Sequence, residues 1–434
     1  MEILEKIESY IGEVEHVAAW ELTCLTEKRW EFYFIRHQLD QNRAVEEHTV
    51  TVKLYRAFEE DGQKFLGAAT AEIPVTAAEE EIRHTLTDLI YEAGLIRNPA
   101  YTLTSEPVAD VSHRETPSVS QIAEDFLRTM QEIPETQTED INSYELFVSE
   151  MTRSFCNSNG VAYTETWPSS MLEVVINART SQPKKMEIEL YRMYRSGTCD
   201  RKQIAGDISR VMRFGRDRLV AQPTPAGLSL PVIFSTDDAK ELYAFFAGRM
   251  LADMKYQKIS GYEIGEKITE RKSGDPLTLE ALAALPNSSD DCRVDLEGSL
   301  IWDRPLIEAD VARNFYGKRQ FSQYIGLEKS SYVFNFRVPG GSESAEALRS
   351  GDYLELVEFS DFQVDDMSGD IAGEIRLGYL HRDGDIQIVT GGSVSGSMLE
   401  AVSTMAFSRE TVQYNRWVIP AVTKLTGLRI TGVV

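Results

Sequence analysis

The side chains that could hold a metal or shuttle a proton are His16, His37, His48, His84, His113 and His381. A helical zinc site needs two imidazoles about one turn apart, with a carboxylate beside them to activate the bound water. No two of these histidines stand at i, i+4 or i, i+5 spacing, and none occurs between His113 and His381. A zinc site assembled across domains from scattered histidines and carboxylates is the metal reading that remains. Cys24, Cys156, Cys199 and Cys292 contain no CxxC pair, so they read as ordinary thiols rather than a disulfide framework or a zinc cluster. The paired acids Asp237-Asp238, Asp290-Asp291 and Asp365-Asp366 are sequence neighbours whose side chains point apart, which suits helix capping or solvated loops better than a catalytic dyad. Gly392-Ser-Val-Ser-Gly396 lacks the G-x-S-x-G spacing and has no histidine to serve as base, so it reads as a turn or a close backbone approach. Gly340-Gly341-Ser342 after Pro339 reads as a loop, without the context of a phosphate cradle.

The element that must position any chemistry is the stretch Pro231 to Lys258, PVIFSTDDAKELYAFFAGRMLADMKYQK. An apolar strand end leads to Ser235 as N-cap, with Asp238 three residues on as the return partner of a capping box. One long helix follows. Leu242, Phe245, Phe246, Met250, Leu251 and Met254 recur at three- and four-residue spacing, which predicts a broad buried face.

Before this helix the chain alternates short strands and amphipathic helices. A helix is expected over 1–12, strands over 20–26, 30–36 and 47–58, and a tight hairpin at Asp61-Gly62 leading into a strand over 64–73. Thr76 with Glu79 reads as a capping box for a helix that buries Ile82, Leu86, Leu89 and Ile90 and stops at Gly94. Residues 98–119 read as a connection, and residues 121–133 as a further helix. Trp20-Glu21-Leu22 is echoed by Tyr144-Glu145-Leu146, and Leu54-Tyr55-Arg56 by Leu190-Tyr191-Arg192. The echoes read either as coincidence between amphipathic strands or as a repeat of residues 14–95 in residues 141–217. A helix from Asp200 to Arg216 closes the second segment. Ala221 to Gly227, with two prolines and a glycine, divides an N-terminal domain (1–220) from a C-terminal domain (221–434). The second domain is β-rich, with strands over 332–338 and 353–359 and a hairpin across Asp383-Gly384. The fold class is α+β: a sheet-and-helix region, then an antiparallel β-rich domain around a long core helix.

The C-terminal half resembles the TldD/PmbA family, also called modulators of DNA gyrase and related to metallopeptidases. The resemblance rests on the core helix and on Ile264-Gly-Glu-Lys-Ile268, Asp295-Leu-Glu-Gly298, Tyr324-Ile-Gly326, Ser368-Gly-Asp370 and Gly392 to Gly396, in that order. In TldD-like members the core helix carries His-Glu-x-x-x-His. Laid on this sequence, that motif falls on Ala244, Phe245 and Arg249. A methyl and a phenyl ring have no lone pair for a metal, and a guanidinium stays protonated. The cysteine that completes the zinc shell in such members has no counterpart after Cys292. These departures resemble the PmbA/TldE-like half of the family, which lacks the motif. The resemblance therefore implies a non-catalytic subunit, with no catalytic residue and no metal of its own, and zinc only in a TldD-like partner. The implied work is proteolysis of small peptides or unfolded segments. Two other readings stay open: an active metallopeptidase with unrecognised ligands, and a stand-alone peptide-binding scaffold. Arg249 reads as an arginine with its head in water, or as a cation in the vacated metal position that binds a peptide carboxylate or a neighbouring acid. A homodimer in the partner's absence is compatible with either.

Composition limits the partners. With 42% hydrophobic and 26% charged residues the chain reads as an ordinary soluble protein, with no apolar run long enough for a membrane span and no leader signal, hence a cytoplasmic address. A net charge of -24 repels a phosphate backbone, so nucleic acid is not an expected partner.

Overall fold

The computed structural model describes residues 2–108, 111, 116–181 and 186–433. Part of the stretch read as a connection, and His113 with it, lies outside the described residues. The N-terminal half runs α1 (Glu2–Ile11), β1 (Ala19–Ile35), β2 (Gln38–Glu60), β3 (Gln63–Ile73), α2 (Glu79–Ala93), α3 (Val119–Glu132), β4 (Glu139–Asn157), β5 (Ala162–Arg179), β6 (Glu187–Ser196) and α4 (Arg201–Val220). Its strands form one antiparallel sheet in the order β3-β2-β1-β4-β5-β6. Each half of that sheet is built the same way, as helix, three strands, helix. Ile7, Leu22, Leu54, Ile82 and Leu86 pack under α1 and α2, whereas Phe126, Leu146, Val174, Ile208 and Val211 pack under α3 and α4. Leu54-Tyr55-Arg56 lies on the second strand of its half and Leu190-Tyr191-Arg192 on the third, so that echo does not mark equivalent strands.

The two strands expected over 20–26 and 30–36 are one. No turn residue interrupts β1, and it is paired along almost its whole length by β2 and β4. Arg29 holds Glu27 and Glu31 on the same strand at 2.9 and 2.8 Å. The Thr76–Glu79 capping box is also absent: α2 begins after Ala78 without a side-chain cap, and Glu79 instead accepts from Arg83 Nε at 3.0 Å. Both short hairpins have the expected geometry. Asp61 and Gly62 have φ of 50° and 76°, Asp383 and Gly384 of 54° and 87°.

The packing of α2 on β3 depends on Gly67, where an added Cβ would stand 1.8 Å from the Ala93 carbonyl oxygen. Gly67→Ala should force the helix end off the sheet and cost about 1–3 kcal/mol, measured as a lower denaturation midpoint.

The C-terminal half adds β7 (Gln222–Pro223), β8 (Val232–Phe234), α5 (Lys240–Arg249), α6 (Ala252–Tyr256), β9 (Leu279–Leu282), β10 (Arg304–Glu308), β11 (Val311–Ala312), α7 (Arg319–Tyr324), β12 (Asn335–Arg337) and α8 (Ala345–Leu348). There follow β13 (Tyr353–Val364), β14 (Asp370–Arg382), β15 (Asp385–Thr390), β16 (Ser393–Ser397), α9 (Met398–Ala401), β17 (Ala406–Phe407), β18 (Thr411–Tyr414), β19 (Trp417–Pro420), β20 (Thr423–Leu425) and β21 (Arg429–Thr431). One sheet runs β17-β20-β8-β13-β14-β15-β7, with β16 and β21 off β14, and the other runs β11-β10-β9-β12-β19-β18. The helix α5 packs on β13 of the first and β9 of the second, inside the largest core.

The long helix expected from Ser235 to Lys258 is interrupted. A single 3₁₀ turn at Asp237–Ala239 opens it, α5 ends at Arg249, and α6 restarts at Ala252. Tyr316 causes the break: its carbonyl accepts from Ala252 N at 2.8 Å and its own N–H reaches the Met250 carbonyl at 3.0 Å, which holds Leu251 extended. Ser235 is not the N-cap. Its hydroxyl donates to Glu355 at 2.5 Å, and Thr236 takes the cap position without a side-chain cap bond. Among the described residues no helix is long and apolar enough to cross a membrane.

Helix α4 joins the halves. One side packs on β5 and β6, the other on β14 and β15, so Val357 and Leu377 of the C-terminal half share the core of α3 and α4. Tyr379 Oη donates to Asp217 at 2.8 Å, and Trp167 Nε1 to the Ser289 carbonyl at 3.0 Å.

Candidate functional site

The helix α5 presents its three motif positions to two different environments, because residues four apart share a face and adjacent ones do not. Phe245 and Arg249 go inward together. Phe245 is fully buried, set edge-on to Phe246 at 5.2 Å, and the Arg249 guanidinium carbon lies 5.0 Å from the Phe245 ring centre. Arg249 is only 6% exposed, so its head is not in water. Nη1 donates to the Ile259 carbonyl and Nη2 to the Met367 carbonyl, which ties the segment after α6 to the β13–β14 turn. Carbonyls, not a carboxylate, receive both of these hydrogen bonds. Asp365 of that turn accepts from the N–H groups of Met367 at 3.0 Å and Ser368 at 2.6 Å, and these bonds hold its carboxyl below the usual range.

Ala244 faces outward, into a cleft between the two halves of the molecule with a volume of about 640 Å³. Its walls come from β6 (Arg192, Tyr194), α4 (Asp207, Arg210), the first turns of the core helix (Asp237, Asp238, Lys240, Glu241), β13 (Glu358, Phe359) and the β18–β19 turn (Tyr414, Arg416, Trp417). Strand β6 is the edge of its sheet and contributes residues 191–196 to the rim. Three ion pairs line the cleft: Arg210 with Asp207 at 2.5 Å, Lys240 with Asp237 at 3.2 Å, and Arg192 with Glu358. Burial raises the Asp207 and Glu241 carboxyls, and burial with the neighbouring Asp237 charge pushes Asp238 up to about 6. Burial also pushes Tyr414 up to about 12. The hydroxyl of Tyr194 and Nε of Arg210 are shielded from water with no hydrogen-bond partner. Displaced carboxyls and orphaned polar atoms gathered in one cleft are the physical marks of a binding site.

Asp238 prefers its neutral form in the folded chain, so ionising it costs stability. That cost is complete above about pH 6, recedes as pH falls towards the ordinary 3.8, and is absent below it. Asp238→Asn should therefore melt above the parent at pH 8, and thermal melts should show the advantage shrinking as the buffer is taken from pH 6 to pH 4.

The zinc chemistry that the sequence resemblance brings with it does not fit these residues. Among the described residues no group of three histidine, cysteine, aspartate or glutamate side chains is placed to hold a metal ion. His381, isolated in the sequence, stacks on Tyr353 with ring centres 4.2 Å apart, and burial lowers its pKa. In the sequence Asp237 and Asp238 read as capping acids, Ala244 as a motif position and Arg192 as part of a strand echo, and nothing there points to a shared cleft. Its other walls are brought together from positions 192 to 417, and no local pattern links them.

Fold and cleft together define a two-part α+β protein whose C-terminal half is built around α5, with Ala244 on the cleft and Phe245 and Arg249 in the core. Residues 228–432 match the family described as the PmbA/TldA metallopeptidase C-terminal domain. The C-terminal half of the chain thus carries a domain of the TldD/PmbA family. Solved structures share the fold over the whole chain. A protein from Bacteroides thetaiotaomicron named as a modulator of DNA gyrase superposes with a TM-score of 0.78 at 15% identity, covering 100% of this chain and 98% of that one. TldE from Thermococcus kodakarensis gives 0.74 at 15% identity, covering 99% and 100%. A Thermotoga maritima protein named as a modulator of a DNA gyrase gives 0.72 at 14%, covering 100% and 99%. No curated protein matches the chain.

Proposed function

We propose that this chain is the non-catalytic, PmbA/TldE-like subunit of a TldD/TldE-type zinc metallopeptidase that processes small peptides or unfolded segments. One observation carries the reading: where the family's zinc motif falls, the chain has Ala244, Phe245 and Arg249, and Phe245 and Arg249 are packed into the core. A metal cannot be regained there by a rotamer change, because the ring and the guanidinium hold structure in place. Similarity of fold to TldE supports the same assignment. The subunit contributes an interface and the cleft beside Ala244 as a peptide-facing surface, and the zinc resides in a TldD-like partner.

Mixing the purified chain with a His-Glu-x-x-x-His relative from the same genome tests this. The expected result is a complex of the two by light scattering and a peptidase activity that needs both. A partner equally active alone, with no complex formed, would overturn the proposal.

A further inference from the structure

If the cleft faces peptide, which the proposed function assumes, its own chemistry narrows what it can take. The wall at the start of the core helix gathers Asp237, Asp238 and Glu241 within little more than one turn, and Asp207 joins them from α4. The cations on these two elements that face them are Lys240, held by Asp237, and Arg210, held by Asp207. Arg192 on β6 is engaged by Glu358. Four carboxyls thus share Lys240, Arg210 and the field of Arg192, each of them already paired, and the Tyr194 hydroxyl on β6 lacks a hydrogen-bond partner. Such a wall is short of positive charge and of hydrogen-bond donors and acceptors in matched pairs.

We propose that the acidic wall of the cleft binds a primary ammonium group, the free α-amino end of a short peptide. An ammonium has three donors and a full charge, so it can serve the Asp237 and Asp238 carboxyls and the Tyr194 oxygen together. It also offsets the burial and the neighbouring Asp237 charge that disfavour the ionised Asp238. The rest of the peptide lies along the β6 edge, where Ala244 leaves room that a histidine would fill.

Calorimetric titration of the full chain with tetra-alanine, N-acetyl-tetra-alanine and putrescine at pH 7.5 tests the proposal. A charge-assisted hydrogen-bond set is worth a factor of about ten or more, so acetylation should weaken binding at least that much. The double variant Asp237→Asn/Asp238→Asn should bind the free peptide no better than the acetylated one, while Asp361→Asn on the exposed part of β13 leaves both affinities unchanged. Equal binding of the two peptides would overturn the ammonium site and leave the peptide-facing cleft standing. Binding of neither would overturn both. Putrescine binding as tightly as tetra-alanine would reassign the wall to diamines and overturn the peptide terminus as its ligand.

Discussion

Phe245→Ala is expected to destabilise the C-terminal half by about 3–5 kcal/mol, the cost of removing a fully buried aromatic ring. The ring lies at 1% exposure within the core that joins both C-terminal sheets. It also supports the Arg249 guanidinium and lies against Gly369, where an added Cβ would stand 3.0 Å from its Cζ. Removing it opens a cavity and loosens the β13–β14 turn at once. Urea unfolding followed by near-ultraviolet circular dichroism reads the loss. Ala244→Ser, one residue earlier on the cleft side, should change stability by less than about 0.5 kcal/mol. The two neighbours differ in this way because Ala244 faces the cleft and Phe245 is core.

Arg249→Lys should cost about 2–4 kcal/mol although it conserves charge. The guanidinium reaches two carbonyls on segments that are far apart in the chain, Ile259 and Met367, with two separate nitrogens. A single ammonium cannot span them, so one of the two segments loses its tie to the helix. Thermal melts of the lysine variant should therefore fall nearly as far as those of Arg249→Met. A lysine variant as stable as the parent would mean that the residue acts as a charge, as a carboxylate contact would, and not as a fork between carbonyls.

The parts of the fold that were legible in the sequence are those fixed by local chemistry. Asp61-Gly62 and Asp383-Gly384 specify their hairpins because the turn needs positive φ at both positions. Ile82, Leu86 and Leu89 mark the buried face of α2 by period alone. The illegible parts are fixed by distant residues. Nothing in the stretch MLADMKYQ from Met250 to Gln257 announces the helix break, because Tyr316, much later in the chain, makes it. Ser235 has the right type for a cap, yet the Glu355 carboxylate competes for its hydroxyl and wins. Arg249 has the composition of a solvated residue, and only the fold supplies the two carbonyls that bury it. The absence of a zinc motif needed no structure at all, since Ala244, Phe245 and Arg249 are read directly.

On the proposed function the metal belongs to another chain. Zinc content of the purified protein after equilibration with excess zinc and gel filtration tests it most directly, with peptide hydrolysis assayed on the same sample. The expected result is metal far below one ion per chain and no hydrolysis that a chelator abolishes. About one tightly held zinc per chain, with hydrolysis lost on chelation and restored by the metal, would contradict it.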